Sequence, residues 1–116
     1  MKKIKELKVS QLEEYINSDE YKNLKNIPIS PVRVFSNINN PKGDRDDKVL
    51  FLAYDDNKFI GYLGAIADIF NINKKNYKVA WLSCMWVAHN YRRQGIAVTL
   101  LNHANKVWNS NLLITN

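Results

Sequence analysis

The sequence predicts an α+β fold with a mixed, mostly antiparallel sheet flanked by helices, in the order β-α-α-β-β-β-α-β. Two apolar runs, 49–54 and 59–70, are separated by the turn DDNK, which is typical of a β-hairpin. A third apolar run, 77–88, leads through a short loop into a helical pattern at 96–109, as in a β-α unit. A chain of 116 residues is long enough for one core, so residues 1–116 are expected to form a single domain.

The N-terminal segment predicts a short strand followed by a helix. Ile4, Leu7 and Val9 are the apolar positions of residues 3–9, and Ser10 precedes Glu13 in a capping-box pattern. The apolar positions of this helix are Leu12, Tyr15 and Ile16. A polar stretch at 18–28 is then expected to connect it to the next helix.

The second helix is predicted to begin at Ser30 and Pro31, a residue pair favoured at the N-cap and first helical position. Its apolar positions are Val32, Phe35 and Ile38. Residues 39–47 (NNPKGDRDD) form the clearest predicted loop of the chain.

The predicted sheet is built around 59–70 and 77–88. Gly61 and Gly64 lie inside the first of these strands and indicate a bulge or a close backbone approach. The second strand is apolar on both faces, so we expect it to be central and covered on both sides. Residues 111–115 are predicted to form a last, short strand.

The composition limits the classes of function. The charge of +6 suits either an anionic partner or a solvated surface of scattered lysines. The chain has one cysteine, Cys84, which excludes an internal disulfide and a Cys-rich zinc site, so no metal is expected. No run spans a bilayer and no secretory signal is visible, so we expect a cytoplasmic protein without membrane contact. Nucleic-acid binding is an alternative without a supporting motif.

The junction between 77–88 and the helix at 96–109 predicts an anion site. The first N–H groups of a helix have no intrahelical acceptors and lie at the positive end of its dipole. Gly95 leaves room for an anion to reach the backbone, and Arg92 and Arg93 add positive charge. Phosphate or pyrophosphate is the natural ligand of such a turn.

This junction resembles the central motif of the GNAT acyltransferase superfamily, Arg/Gln-x-x-Gly-x-Gly/Ala, which stands here as RRQGIA at 92–97. The preceding segment VAHNY at 87–91 is similar to the Val-x-Pro-x-Tyr/Phe of relatives, with His89 in place of proline. The resemblance runs from about residue 4 to the end of the chain. It implies an N-acyltransferase that uses acetyl-CoA and an amine acceptor, either a small molecule or a peptide.

The same resemblance implies where acyl-CoA binds. Backbone amides of the loop would hold the pyrophosphate, and main-chain groups of the preceding strand would pair with the pantetheine arm and the thioester carbonyl. The cofactor-binding residues implied in this way are Met85, Trp86, Val87, Arg92, Arg93, Gln94, Gly95, Ile96 and Ala97.

The catalytic groups remain open at this stage. Many relatives carry a glutamate base on the central strands, but this chain has no glutamate after Glu20. The candidates are Asp68, His89 and a water held by Ser83. Asp68 is equally a solvated carboxylate at a strand end, and His89 a surface residue that replaces a loop proline.

Two other side chains with reactive groups are expected to be structural. Cys84 has no basic neighbour in the sequence and is expected to be a small buried thiol. His103 falls on the polar side of the last helix and is expected at the surface.

The end of the chain bears on activity and assembly. GNAT domains normally continue with a helix and two further strands, so the resemblance implies a domain truncated after its fifth strand. A CoA-binding or protein-interaction module without catalysis is therefore an alternative to an enzyme. The open edge of 111–115, together with Trp108, leads us to expect a homodimer through the C-terminal region.

Overall fold

A computed structural model of the chain describes residues 2–114. They form one five-stranded sheet in the order β1-β2-β3-β4-β5, with antiparallel pairs throughout except for the parallel pair of β4 and β5. This mixed, mostly antiparallel sheet confirms the predicted fold class. The strands are β1 (Lys2–Lys8), β2 (Lys48–Asp55), β3 (Lys58–Ile72), β4 (Lys75–Val87) and β5 (Leu112–Leu113), and the helices are α1 (Leu12–Ile16), α2 (Asp19–Lys22), α3 (Pro31–Ile38) and α4 (Ile96–Val107).

The core lies on both faces of the sheet. Residues 49–53 of β2 are all buried, which requires cover on either side of the strand. On one face α4 buries Leu100 and Ala104. On the other face the helical N-terminal segments bury Leu12 and Val34.

The β3–β4 hairpin contains the irregularity that Gly64 predicts. Gly64 pairs with Cys84 and the next residue, Ala65, pairs with Leu82, so Ser83 is an extra residue in β4. A Cβ atom on Gly64 would stand 2.9 Å from the Cys84 Sγ atom. The strands approach closely here because this position has no side chain.

The expectation that β4 is covered on both faces is wrong. It is central only where Ala80 and Trp81 pair with β5, and no other described strand pairs with that edge of β4 beyond Trp81. The following residues of β4 are half-buried, and Met85 is 38% exposed. The apolar sequence of β4 therefore lines an open cleft rather than a closed core.

The first two helices differ from the prediction. α1 begins at Leu12 after a 3₁₀ turn in which Gln11 Oε1 accepts a hydrogen bond from the Lys8 amide, and Ser10 does not cap the helix. The polar stretch contains α2, which Ser18 caps by accepting a hydrogen bond from the Tyr21 amide.

The predicted core face of α3 is also wrong. Val34 is fully buried, whereas Val32 is 75% and Phe35 is 50% exposed. The helix therefore packs on the sheet side through a neighbouring face, and its most continuous apolar stripe faces outward.

The C-terminal segment is shorter than predicted. β5 contains two residues, Ile114 is exposed, and Thr115 lies outside the described residues. Trp108 is buried, and its Nε1 atom donates to the Lys48 carbonyl oxygen at 2.8 Å, so it offers no surface for a partner. Across the described part of the chain, no helix is long and apolar enough to cross a membrane.

Candidate active site

The start of α4 has the geometry of an anion site. Gly95 is the N-cap and has a φ of 79°, a left-handed conformation that glycine adopts without strain. The N–H groups of Ile96, Ala97 and Val98 have no acceptor within the helix. A Cβ atom at Gly95 would meet nothing within 4 Å, so the space beside this residue is open.

The residues before Gly95 shape this turn. Arg93 has a φ of 67°, and the Gln94 side chain donates to the Asn90 carbonyl oxygen at 3.1 Å. Arg92 directs its Nε atom back to the carbonyl oxygen of Val87, at 3.1 Å. The loop is thereby fixed against the end of β4.

Beyond Trp81, no strand of the described residues pairs with the outer edge of β4, which lies next to this turn. The Ala88 amide donates to the Ile60 carbonyl oxygen on the β3 side. Because backbone groups alternate along a strand, those of Met85 and Val87 point to the opposite edge. The contact of Arg92 with the Val87 oxygen agrees with that direction. The Trp86 backbone points toward β3, so only its side chain can contribute to a site.

Aromatic side chains cover the sheet beside this edge. Tyr62 and Trp86 are a cross-strand pair whose ring centroids lie 5.8 Å apart, and Phe59 stacks on both rings. Tyr54 extends the cluster and donates a hydrogen bond to Glu20 on α2 at 2.9 Å. Burial raises the pKa of both Tyr54 and Tyr62, so neither phenol ionises near neutral pH.

A cavity of about 500 Å³ lies between α3 and the sheet. Its floor is the bulge, where Gly64, Ser83 and Cys84 meet, and Arg33 reaches it from α3. The cavity therefore touches β4 near the strand edge described above. The sequence does not identify Arg33 as a cavity residue. Its neighbours in α3 do not indicate that this helix packs near the bulge, which lies fifty residues later in the chain.

Asp68 has a structural environment. Its carboxylate accepts hydrogen bonds from Trp81 Nε1 at 2.9 Å and from the Ile69 amide at 2.8 Å, and it pairs with Lys42 at 3.2 Å. The hydrogen bond from Trp81, with those from Ile69 and Lys42, holds the pKa of Asp68 below its usual value. The residue lies within β3 rather than at its end, and a carboxylate so stabilised is a weak base.

The other predicted catalytic candidates are separated from one another. His89 is exposed in a 3₁₀ turn, His89–Tyr91, and does not line the cavity. Ser83 does line it, with its Oγ atom 3.7 Å from Cys84 Sγ. Cys84 is half-buried rather than buried. The structure therefore groups Ser83 with the cavity and leaves His89 at the loop.

His103 is not the surface residue that was expected. Its Nε2 atom lies 2.7 Å from Glu6 Oε2, and its ring packs edge-on against Phe51. Glu6 also pairs with Lys48 at 2.8 Å. These contacts hold α4 against β1 and β2, on the face of the sheet away from the cavity.

Comparison with known proteins assigns the family. The family model described as Acetyltransferase (GNAT) family matches residues 9–107, which include the turn before α4 and the whole of β4. The chain belongs to the GNAT acetyltransferase family. A comparison with curated proteins finds no match to this sequence.

Solved structures of acetyltransferases share this GNAT fold. An aminoglycoside acetyltransferase, meta-AAC0020 from an uncultured soil metagenomic sample, solved in complex with trehalose, aligns at 19% identity and a TM-score of 0.61 over 99% of this chain and 77% of its own. AAC(6')-Iy in complex with the bisubstrate analog CoA-S-monomethyl-acetylneamine aligns at 16% identity and 0.58 over 100% and 80%. The ribosomal-protein-alanine N-acetyltransferase of Brucella melitensis biovar Abortus 2308 aligns at 14% and 0.60 over 99% and 80%.

Proposed function

We propose that this GNAT chain binds acyl-CoA and transfers its acyl group to a primary amine. The observation that carries the proposal is the continuity between two unpaired sets of backbone groups. The free amides at the start of α4 adjoin the free edge of β4, and Arg92 joins them through the Val87 oxygen. A phosphate-bearing ligand with an extended amide-containing arm fits both sets.

Five of the predicted cofactor-binding residues have a direct role in this proposal. The amides of Ile96 and Ala97 would bind the pyrophosphate, over the open space at Gly95. The backbone groups of Met85 and Val87 would pair with the pantetheine arm. From Val87 to Ser83 the strand spans about 13 Å at roughly 3.3 Å per residue, so the arm would bring the thioester to the bulge.

The reaction requires an uncharged amine at the bulge. Its nitrogen attacks the thioester carbonyl carbon, a C–N bond forms, and the C–S bond breaks. The thiolate leaves as free CoA after taking up a proton, and the nitrogen loses one proton to water. A free N–H on the edge of β4 is placed to stabilise the oxyanion that develops on the carbonyl oxygen.

The structurally similar proteins do not define the acceptor. Several of them act on aminoglycosides and one on a ribosomal protein, according to their descriptions. At identities below 20% these likenesses support the fold and not the substrate.

A second candidate function is CoA binding without catalysis. It is favoured by the absence of any carboxylate among the described residues that line the cavity, since many relatives use a glutamate as base. In that case acyl-CoA would stabilise the chain but would not be consumed.

Two measurements separate these functions. Acetyl-CoA should raise the melting temperature of the chain, by mass action on the folded state. Release of free CoA thiol should then accelerate when a suitable amine is added. Stabilisation without amine-dependent thiol release would select the binding module, and no stabilisation by acetyl-CoA would contradict both functions.

A further inference from the structure

The lining of the cavity between α3 and the sheet carries positive charge, whereas a cationic acceptor would need negative charge. Arg33 is the one charged side chain among its described lining residues. The side chains of Ser36 and Asn37, which also line the cavity, already donate hydrogen bonds to the carbonyl oxygens of Val32 and Arg33. The guanidinium of Arg33 is the charged group that a ligand would meet there, and it suits a carboxylate because its N–H groups match two carboxylate oxygens.

Arg33 is free to bind a ligand. Within residues 2–114 its guanidinium has no hydrogen bond or ion pair, whereas its backbone amide donates to Ser30 Oγ at 3.2 Å and its carbonyl oxygen accepts from Asn37 Nδ2 at 2.8 Å. Burial raises the pKa of Tyr62, and the positive charge of Arg33 acts in the opposite direction. This interaction agrees with a position of Arg33 beside the aromatic cluster. The helix start at Ser30 therefore fixes the backbone and leaves the side chain available.

Two acidic side chains on segments that adjoin the cavity or the aromatic cluster do not neutralise the cavity. Asp68 lies two residues beyond the lining residue Ile66, but its carboxylate is paired with Lys42 and bonded to Trp81. Glu20 belongs to the far end of the aromatic cluster, where it accepts from Tyr54. A polycation would find no unpaired carboxylate on the cavity wall.

The size and remaining lining of the cavity indicate the body of the ligand. Most of the cavity surface is formed by apolar atoms, and Ile29, Val49 and Ala65 are among the residues that line it. A volume of about 500 Å³ is within the range of pockets that hold small molecules. The ligand would combine an apolar body with a negative group.

On the basis of the proposed function, we infer that the acceptor is a small primary amine that carries a carboxylate and an apolar body. Arg33 binds the carboxylate, and the amine lies at Ser83, where the cavity reaches β4. The positive charge of Arg33 and the lack of carboxylates disfavour an ammonium ion. The site thus supplies a neutral nucleophile without a glutamate base.

The inference is tested by titrating the 116-residue, ¹⁵N-labelled chain with matched amines, alone and with saturating CoA. The probes are L-phenylalanine, L-phenylalaninamide, phenethylamine and the polycationic aminoglycoside neamine. We expect L-phenylalanine to bind at least tenfold more tightly than the other three and to shift the amides of Arg33 and Ser83. Arg33→Gln should remove this preference, while Arg45→Gln, which changes the same charge at an exposed site outside the cavity, should keep it.

The outcomes distinguish this inference from the proposed function. Equal or tighter binding of the amide or of neamine would overturn the inference, and so would a preference that survives in Arg33→Gln. If acetyl-CoA binds but none of the four probes does, the acceptor inference fails and the CoA site stands. If acetyl-CoA does not bind, the proposed function fails, and the titration without CoA still decides whether this cavity selects a carboxylate.

Discussion

The Nε atom of Arg92 donates a hydrogen bond to the Val87 carbonyl oxygen at 3.1 Å. This hydrogen bond joins the turn before α4 to the last residue of β4. The Nε edge of the guanidinium is therefore used in a hydrogen bond within the protein. The backbone amides, and not this side chain, are then the main groups available for a phosphate.

Replacing Arg92 should accordingly have a small effect on CoA binding. We expect Arg92→Ala to weaken the binding of acetyl-CoA by about 1 kcal/mol, the size of one hydrogen bond. Isothermal calorimetry measures the change, with Arg45→Ala as a control for the loss of one positive charge. A loss of several kcal/mol would show that the side chain dominates phosphate binding.

Asp68 is expected to support the fold and not to act as the base. Asp68→Asn should keep kcat/KM for the acceptor within about threefold, because Asp68 is not expected to be the general base. Removal of a true general base would lower the rate roughly a hundredfold or more. The same change should lower the melting temperature, since the ion pair with Lys42 is lost. A hundredfold lower rate with an unchanged melting temperature would identify Asp68 as catalytic.

Glu6 should make the stability of the chain depend on pH. The hydrogen bond from Lys48 outweighs burial and holds the pKa of Glu6 below its usual 4.5. The resulting stability is present above pH 4.5 and is lost as the pH falls through the lowered pKa of the folded state.

Urea unfolding of the wild type and Glu6→Gln at several pH values measures this effect. The wild type should be the more stable protein at pH 7, and the difference should shrink between pH 5 and pH 3. A difference that stays constant over this interval would show that the Glu6 carboxylate does not contribute through its charge.

Self-association through the C-terminal region stays a prediction. In the described residues β5 pairs only with β4, and Ile114 is 59% exposed. An unpaired apolar edge favours pairing with a second chain. Light scattering over a hundredfold range of concentration should show a dimer, which Ile114→Lys should weaken. A monomer at every concentration would contradict the prediction.

Much of the sheet and the turn before α4 could be predicted from the sequence, because local patterns determine them. The hairpin run from 49 to 70, the bulge at Gly64 and the glycine at the start of α4 all depend on neighbouring residues. The order of elements followed from the change of period along the chain.

The cavity between α3 and the sheet could not be predicted from the sequence, because it depends on packing between segments that are distant along the chain. α3 exposes Val32 and Phe35 and buries Val34, so it packs on the sheet through a different face from the one expected. Arg33 then lines the cavity. The apolar faces of β4 suggested complete burial, although β5 pairs only with Ala80 and Trp81 and Met85 is exposed. Hydrophobic periodicity shows that a face is apolar but not which element covers it.

The central claim is that acyl-CoA binds over the amides at the start of α4, and Gly95→Glu tests it most directly. Gly95→Gln is the matched control, since it introduces the same left-handed strain and similar bulk without the charge. Both variants should remain folded by circular dichroism. Calorimetry should show that Gly95→Glu abolishes acetyl-CoA binding, while Gly95→Gln retains part of it. An unchanged affinity in Gly95→Glu would contradict the placement of the CoA site at this turn.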